Sequence, residues 1–450
     1  MFESAGAKAG AGVAGMAVAG ACGVVIVGIV GWSWWTWEPE VAPSVDYAPQ
    51  LPADVAQRDG LDLARIHREL WPAASVARDP DAPGALIEAY GADEALQDVA
   101  RELVDVLDDR AAADAQAEVL NAAYAARKLP WAVKTGAAGR SGYAKTYWIV
   151  ARPTVTLSSD EARVSVGVRA DGLNVQEGWL GLQEDVGGAI VVADRVGAFG
   201  TDEVWPLLSD DLDARGPALR ALAAERLSAD HFDVLLRTSA ARRGMVAAQE
   251  AVDERRACGS DFRMRIGWDG LDELARLRAY ARESGGGSCP GITPAEADAV
   301  VGGTLVVRGE PGLPAALEAL NGWLARHVAI HEARHLVDQE QWGGQPRCTG
   351  CDGMSERTVS EASAYLTALA SEEAVVAWAQ GCGLVGSGRR GPGARALEAV
   401  FDELTVGCGV APPEDLAERA AGLSKAWFER DEVVVVDGMP DALPLCLGPS

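Results

Sequence analysis

The spacing of apolar positions divides the chain into stretches of different character. From 9 to 31, "AGAGVAGMAVAGACGVVIVGIVG", every residue is apolar or small, and no charge falls between Lys8 and Glu38. As a helix this run is roughly 34 Å long, enough to cross a hydrocarbon core of about 30 Å. Trp32, Trp34, Trp35 and Trp37 follow at once, as an interfacial aromatic belt would. The pattern predicts a cytoplasmic tail over 1–8 and a transmembrane anchor over 9–37. Lys8 precedes the span and Glu38, Glu40 and Asp46 follow it, which places the remainder outside the cytoplasm, in a periplasmic or extracellular space. Gly15, Ala19 and Gly23, four residues apart, would let this helix associate with another in the membrane. Two alternatives remain, a cleaved signal peptide and a lipoprotein at Cys22. The run is longer than a usual signal core, and lipidation would leave a long apolar stretch after the cysteine.

Residues 38–60 are rich in Pro and acid and read as a linker. Residues 61–130 carry apolar positions at helical spacing among many alanines. The period then changes. "YAKTYWIVARPTVTL", "ARVSVGVRADGL" and "GGAIVVADRV" alternate β-branched and polar residues, which predicts an antiparallel sheet in a β-rich domain over 131–208. Helical patterning returns from 209 to 283. A loop over 284–294 and a short strand, "GTLVVRG" (303–309), come next. Helices follow over 314–342, 355–380, 392–406 and 413–430, then an apolar "VVVV" strand and a Pro-rich tail. The expected class is α+β: an N-terminal transmembrane helix, a mixed helical and antiparallel β middle region, and a mainly helical C-terminal domain over 209–450 with its core at 303–430.

Composition narrows the partners. A hydrophobic fraction of 48% can fill real cores, but 40 basic against 66 acidic residues leave a net charge of −26. Nucleic acid and anionic membrane surfaces both need a basic footprint, so neither is an expected partner. Cys22 lies in the apolar run, and the other seven of the eight cysteines fall in the C-terminal half, as local disulfides of an exported region would. "CTGC" (348–351) has no second C-x-x-C and no thioredoxin-like surroundings, so it reads as a disulfide that fixes a loop. Cys382 and Cys408 are candidate staples as well.

The candidate chemistry lies in the 314–342 helix. Leu313, Leu317, Leu320 and Leu324 form one stripe, and its continuation passes through His327, His331, His335 and Asp338. These are three of only five histidines, and they replace leucine on the inward face. A buried imidazole needs a partner, and a metal can be that partner. His331 and His335 stand at i and i+4, so both rings can reach one Zn²⁺. Glu332 lies one step around the helix, placed to act as a general base without binding the metal. His327, a further turn back, points too far away and reads as a buried, hydrogen-bonded neighbour. His67 and His231 lie in separate segments. A third ligand is expected from the next helix, where Glu361 in "SEASAYL" is favoured over Glu356, with Glu372 and Glu373 too far along.

"HEARH" (331–335) followed by "SEASAY" (360–365) resembles the gluzincin group of zincin metallopeptidases, and Asp338 extends the likeness to an H-E-x-x-H-x-x-D variant. The resemblance covers about 303–382. It implies a zinc ion held by His331, His335 and Glu361, with Glu332 taking a proton from water and passing it to the leaving amine. Tyr365 stands one turn after Glu361, where some gluzincins carry an acid, and is the candidate donor to the oxyanion. Arg334 and Tyr280 are weaker candidates. Asp338 could hold the ring of a ligand histidine. No further histidine follows Glu361 to act as an electrophile. The expected function is a membrane-anchored, zinc-dependent metallopeptidase acting on peptides or proteins in the cell envelope of a bacterium. The alternatives are a non-catalytic binding or structural protein on a zincin-like scaffold, or a hydrolase of other carbonyl compounds. The presence of Glu332 favours the enzyme.

Overall fold

Two acid-capped helices lead into the sheet. In the computed structural model, which describes residues 51–445 except 78–79, 139–140, 172–180, 184–187, 285–288 and 389, these are α1 (Glu94–Val106) and α2 (Arg110–Ala126). Asp93 and Asp109 cap them by accepting from the backbone amides of Leu96 and Ala112. The 1–8 tail, the 9–37 anchor, most of the 38–60 linker and Cys446 lie outside the described residues. No helix among the described residues is long and apolar enough to cross a membrane.

Helix α2 is tied to the sheet by Asn121, whose side chain donates to the Val133 carbonyl at 2.9 Å and accepts from the Val133 amide at 2.8 Å. The strands are β1 (Trp131–Ala138), β2 (Ser141–Ala151), β3 (Thr154–Leu157), β4 (Asp160–Arg169), β5 (Gly181–Gln183) and β6 (Ala189–Val192). Pairing is antiparallel for β1 with β2, for β2 and β3 with β4, and for β5 with β6. One pair departs from the expected antiparallel sheet: β6 runs parallel to β4, with Val164 opposite Ala189. The 170–188 connection is long enough for the crossover that a parallel pair requires.

The sheet is not a module apart from the helical region. The "VVVV" stretch forms β7 (Val434–Asp437), which pairs antiparallel with β3 and sets Val436 opposite Val155. One contiguous apolar core runs from Val55 to Leu445, so the expected boundary at 208/209 does not separate two cores. Helices α3 (Ala193–Phe199) and α4 (Ala229–Glu254) lead from the sheet into the helical part.

The segment expected as a strand at 303–309 belongs to helix α5 (Pro294–Arg308). Thr293 and Glu296 form a capping box and Pro294 opens the first turn, so a strong start carries the helix through the β-branched residues. Packing completes the override. A Cβ on Gly303 would come within 2.9 Å of the Ala241 carbonyl oxygen, so only a bare glycine lets α5 lie this close to α4.

Helix α6 (Leu313–Trp342) is about 45 Å long and packs across β4, β5 and β6. The helix expected over 355–380 is two: α7 (Glu356–Leu369) and α8 (Ala374–Gly386). Ser371 makes the break, its hydroxyl donating to Ala368 O and accepting from Glu373 N. The turn brings the Glu373 carboxylate to Trp323 on α6, whose indole donates to it at 2.7 Å. Helices α9 (Pro392–Leu404) and α10 (Leu416–Phe428) pack against α7. Disulfides join Cys258 to Cys289, Cys348 to Cys351, and Cys382 to Cys408.

Candidate metal centre

Two helices build the site. The leucine stripe of α6 is buried, and the stripe continues through the histidines as expected. His331 and His335 point their Nε2 atoms at one another, 3.2 Å apart, with the rings edge-on. Across the interface α7 brings Glu361, whose Oε2 lies 3.6 Å from His331 Nε2. Ligand atoms of these three residues all fall within 4.8 Å of one another. Two donors about 2.1 Å from a tetrahedral zinc lie about 3.4 Å apart, so the spacing fits one ion. The competing acids are engaged elsewhere: Glu356 accepts from Gln345 at 2.8 Å, and Glu373 holds Trp323.

Electrostatics prepare the donors. Burial, with the neighbouring His331 adding to it, pushes the His335 pKa down to about 3, so the ring stays neutral as a ligand must. Burial also acts to lower the pKa of His331, but the hydrogen bond and charge of Glu361, helped by Glu332, outweigh it and the net shift is upward. Burial would raise the pKa of Glu361, but the His331 partner reverses this and holds the carboxyl low. The site is thus a compact set of two imidazoles and a carboxylate, the donor chemistry of zinc.

No family model, curated protein or solved structure matches this chain.

The remaining residues divide. Glu332 is buried beside the triad, and burial pushes its pKa up to about 7, with the Glu361 charge adding and His331 opposing. Its neighbour is the backbone of β5: a Cβ on Gly181 would overlap the Glu332 carboxylate. Tyr365 lies against His331, ring centroids 4.6 Å apart, and burial pushes its phenol well above the usual range, so it stays a neutral donor. His327 is buried and bonds Gln380 at 2.6 Å, away from the triad, as expected.

Asp338 does something other than hold a ligand ring. Its carboxylate accepts from Arg334 at 2.6 and 2.9 Å, from Arg430 at 3.2 Å and from the Ser363 hydroxyl. It is a hub joining α6, α7 and the segment after α10, and it holds the Arg334 guanidinium through its Nε and one Nη. Tyr280 stacks on Phe262 and is not among the converging groups. The partner expected of Asp338 is supplied by Ser360, whose hydroxyl lies 3.1 Å from His335 Nδ1. Ser360 directly precedes Glu361, and that adjacency was the available signal. Nothing in the sequence marks Gly181, which lies some 150 residues from Glu332.

Proposed function

We propose that this chain is a zinc metallopeptidase of gluzincin-like chemistry, anchored by its 9–37 segment with the catalytic part outside the cytoplasm. The observation that carries the reading is the convergence of His331, His335 and Glu361 with Glu332 buried beside them. Bound zinc would supply Lewis acidity toward the scissile carbonyl and toward water. His331 and His335 would hold it from α6 and Glu361 from α7, with Ser360 fixing the His335 ring. Glu332 accepts the proton of the attacking water and returns it to the leaving amine. Tyr365 gives a neutral hydrogen bond to a substrate oxygen. Among the described residues β5 pairs only with β6, so its other edge can take an extended peptide as an added strand, while Glu332 lies against the face of the strand at Gly181. The three disulfides support an oxidising compartment.

The test is zinc content and peptide hydrolysis for the full chain and its Glu332→Gln variant. Equal zinc in both, with hydrolysis lowered by about 10²–10⁴ in the variant, is the expected result. Undiminished hydrolysis in the variant would remove Glu332 as the base. Absence of zinc from both would remove the metal site, and zinc in both without hydrolysis in either would leave a binding protein.

A further inference from the structure

Three positions form one row across the sheet beneath α6. Val166 of β4 stands opposite Val191 of β6, and Val191 stands opposite Gly181 of β5. Directly opposed residues turn their side chains to the same face. Val166 and Val191 are fully buried in the core they share with α6. Only at its third place does the row lack a side chain, and there it meets Glu332. A Cβ on Gly181 would overlap Glu332 Oε1 and come within 2.6 Å of both Cγ and Cδ. The whole end of the glutamate, and not one oxygen alone, therefore lies on bare strand backbone.

Polar contacts do not fix that carboxylate. Glu332 is only 6% exposed, yet among the described residues neither of its oxygens makes a hydrogen bond or an ion pair. A glutamate turns about several side-chain torsions, so packing has to set what hydrogen bonds leave open. The other groups of the site are held by polar partners: Ser360 bonds the His335 ring, and Glu361 faces His331 at 3.6 Å. The base of the proposed reaction instead takes its place from the face of β5. That strand is held by β6, which is buried along its whole length and paired to β4.

We infer that Gly181 is a positioning residue for Glu332: the bare backbone of β5 holds the carboxylate of the general base in the orientation that proton transfer needs, and any side chain at 181 turns it away. The inference rests on the hydrolytic reading above and extends its machinery from the two ligand helices to the sheet. Carbon atoms pack at about 3.5–4.0 Å, so a methyl at 181 has to displace Glu332 or β5 by about 1 Å. A misplacement of about 1 Å at a reacting group can cost about 10²-fold in rate. The zinc ligands stand on α6 and α7, away from β5, so the same methyl leaves the metal set in place.

The experiment is a double-substitution cycle in the full zinc-loaded chain. Each member is measured for zinc content, denaturant stability and hydrolysis of the peptide that the parent cuts fastest in a quenched fluorescent library. Gly181→Ala should lower kcat by about 10–100-fold with KM within about threefold of the parent's and zinc content unchanged. Glu332→Asp draws the carboxylate back from β5 by one methylene, which lowers kcat by itself and makes room for the methyl. In that background Gly181→Ala should change kcat by less than about twofold, because the two positions act through one contact. A glycine that serves only the fold would cost the same factor in both backgrounds, and that equality would overturn the inference. A Gly181→Ala chain as active as the parent would overturn it too and leave the hydrolytic reading standing. Should Gly181→Ala lose zinc or stability, the double variant decides: recovery in Gly181→Ala/Glu332→Asp supports the contact, and no recovery overturns it. A parent that cuts no peptide of the library overturns the hydrolytic reading, and the positioning of its base falls with it.

Discussion

His67 and His335 are both buried, and burial pushes both imidazoles down to a pKa of about 3. Their company differs. Among the described residues neither ring nitrogen of His67 has a hydrogen-bond partner; the ring stacks on Trp131 at 4.2 Å and meets the edge of Tyr124 at 5.4 Å. It serves as a flat apolar ring where the segment before α1 meets β1 and α2. The nitrogens of His335 are both directed, Nδ1 to Ser360 and Nε2 to His331, beside Glu361. Depressed basicity alone therefore does not mark a site, because an inert core histidine shows the same depression. Convergence of ring nitrogens on an acid from another helix is what separates the two.

The widest separation comes from removing each ring's nitrogens in turn. His335→Phe should abolish stoichiometric zinc binding, whereas His67→Phe should bind zinc as the parent does, measured by metal analysis after dialysis. Zinc loss in His67→Phe would erase the distinction. Next in size is the support beneath the site. Asp338 is fully buried with two arginines, and Asp338→Ala leaves Arg334 and Arg430 without their shared anion. Breaking a buried pair in this way costs about 3–5 kcal/mol. Denaturant unfolding at pH 7 reads it, and a loss below about 1 kcal/mol would mean that the hub contributes little.

The contrast also has a pH signature. The folded pKa of His67, about 3, lies below the ordinary 6.5. Between those values the unfolded chain takes up a proton that the folded chain refuses, so stability falls as pH drops through 6.5 and levels off near 3. At pH 4.5 this one group costs about 2–3 kcal/mol. His67→Phe keeps the stack and removes the titration, so its stability should fall less steeply than the parent's between pH 7 and 4.5. Tyr90 and Tyr124, hydrogen-bonded beside the ring, have phenols raised by burial and stay neutral throughout this range. Identical slopes for parent and variant would show that water or another group reaches His67.

Legibility in the sequence followed range. The histidine face of α6, the convergence of Glu361 rather than Glu356 on it, and the Cys348–Cys351 pair rest on spacing within one helix or between neighbours and were readable, whereas Cys382 and Cys408 read only as staples with no partner assigned. The strand expected at 303–309 failed because Val306 and Val307 favour extended backbone locally, while the Thr293 cap and the close approach to α4 act from outside the window. Pairings across long separations left no trace. Arg430 reaches Asp338 over 92 residues, and β7 joins a sheet whose other strands end at 192. His67 was readable only as a histidine in a helical segment, since the stack that makes it inert is tertiary.

The smallest expected effect tests whether His335 is held for a purpose or merely accommodated. Its Nδ1 lies 3.1 Å from the Ser360 hydroxyl, a geometry in which the ring donates to oxygen and keeps the Nε2 lone pair toward His331 and Glu361. His331 has no such support among the described residues: its Nδ1 is buried without a partner there. Ser360→Ala should therefore loosen only one of the two imidazole ligands. Orienting hydrogen bonds of this kind change metal affinity by about 10–100-fold. Zinc Kd, measured by chelator competition, should rise by that factor in Ser360→Ala while denaturant stability of the metal-free chain changes by less than about 1.5 kcal/mol, the value of an ordinary hydrogen bond. An unchanged Kd would mean that the packing of α6 against α7 alone orients the ring, and the difference between His335 and the stacked His67 would then rest on Glu361 alone.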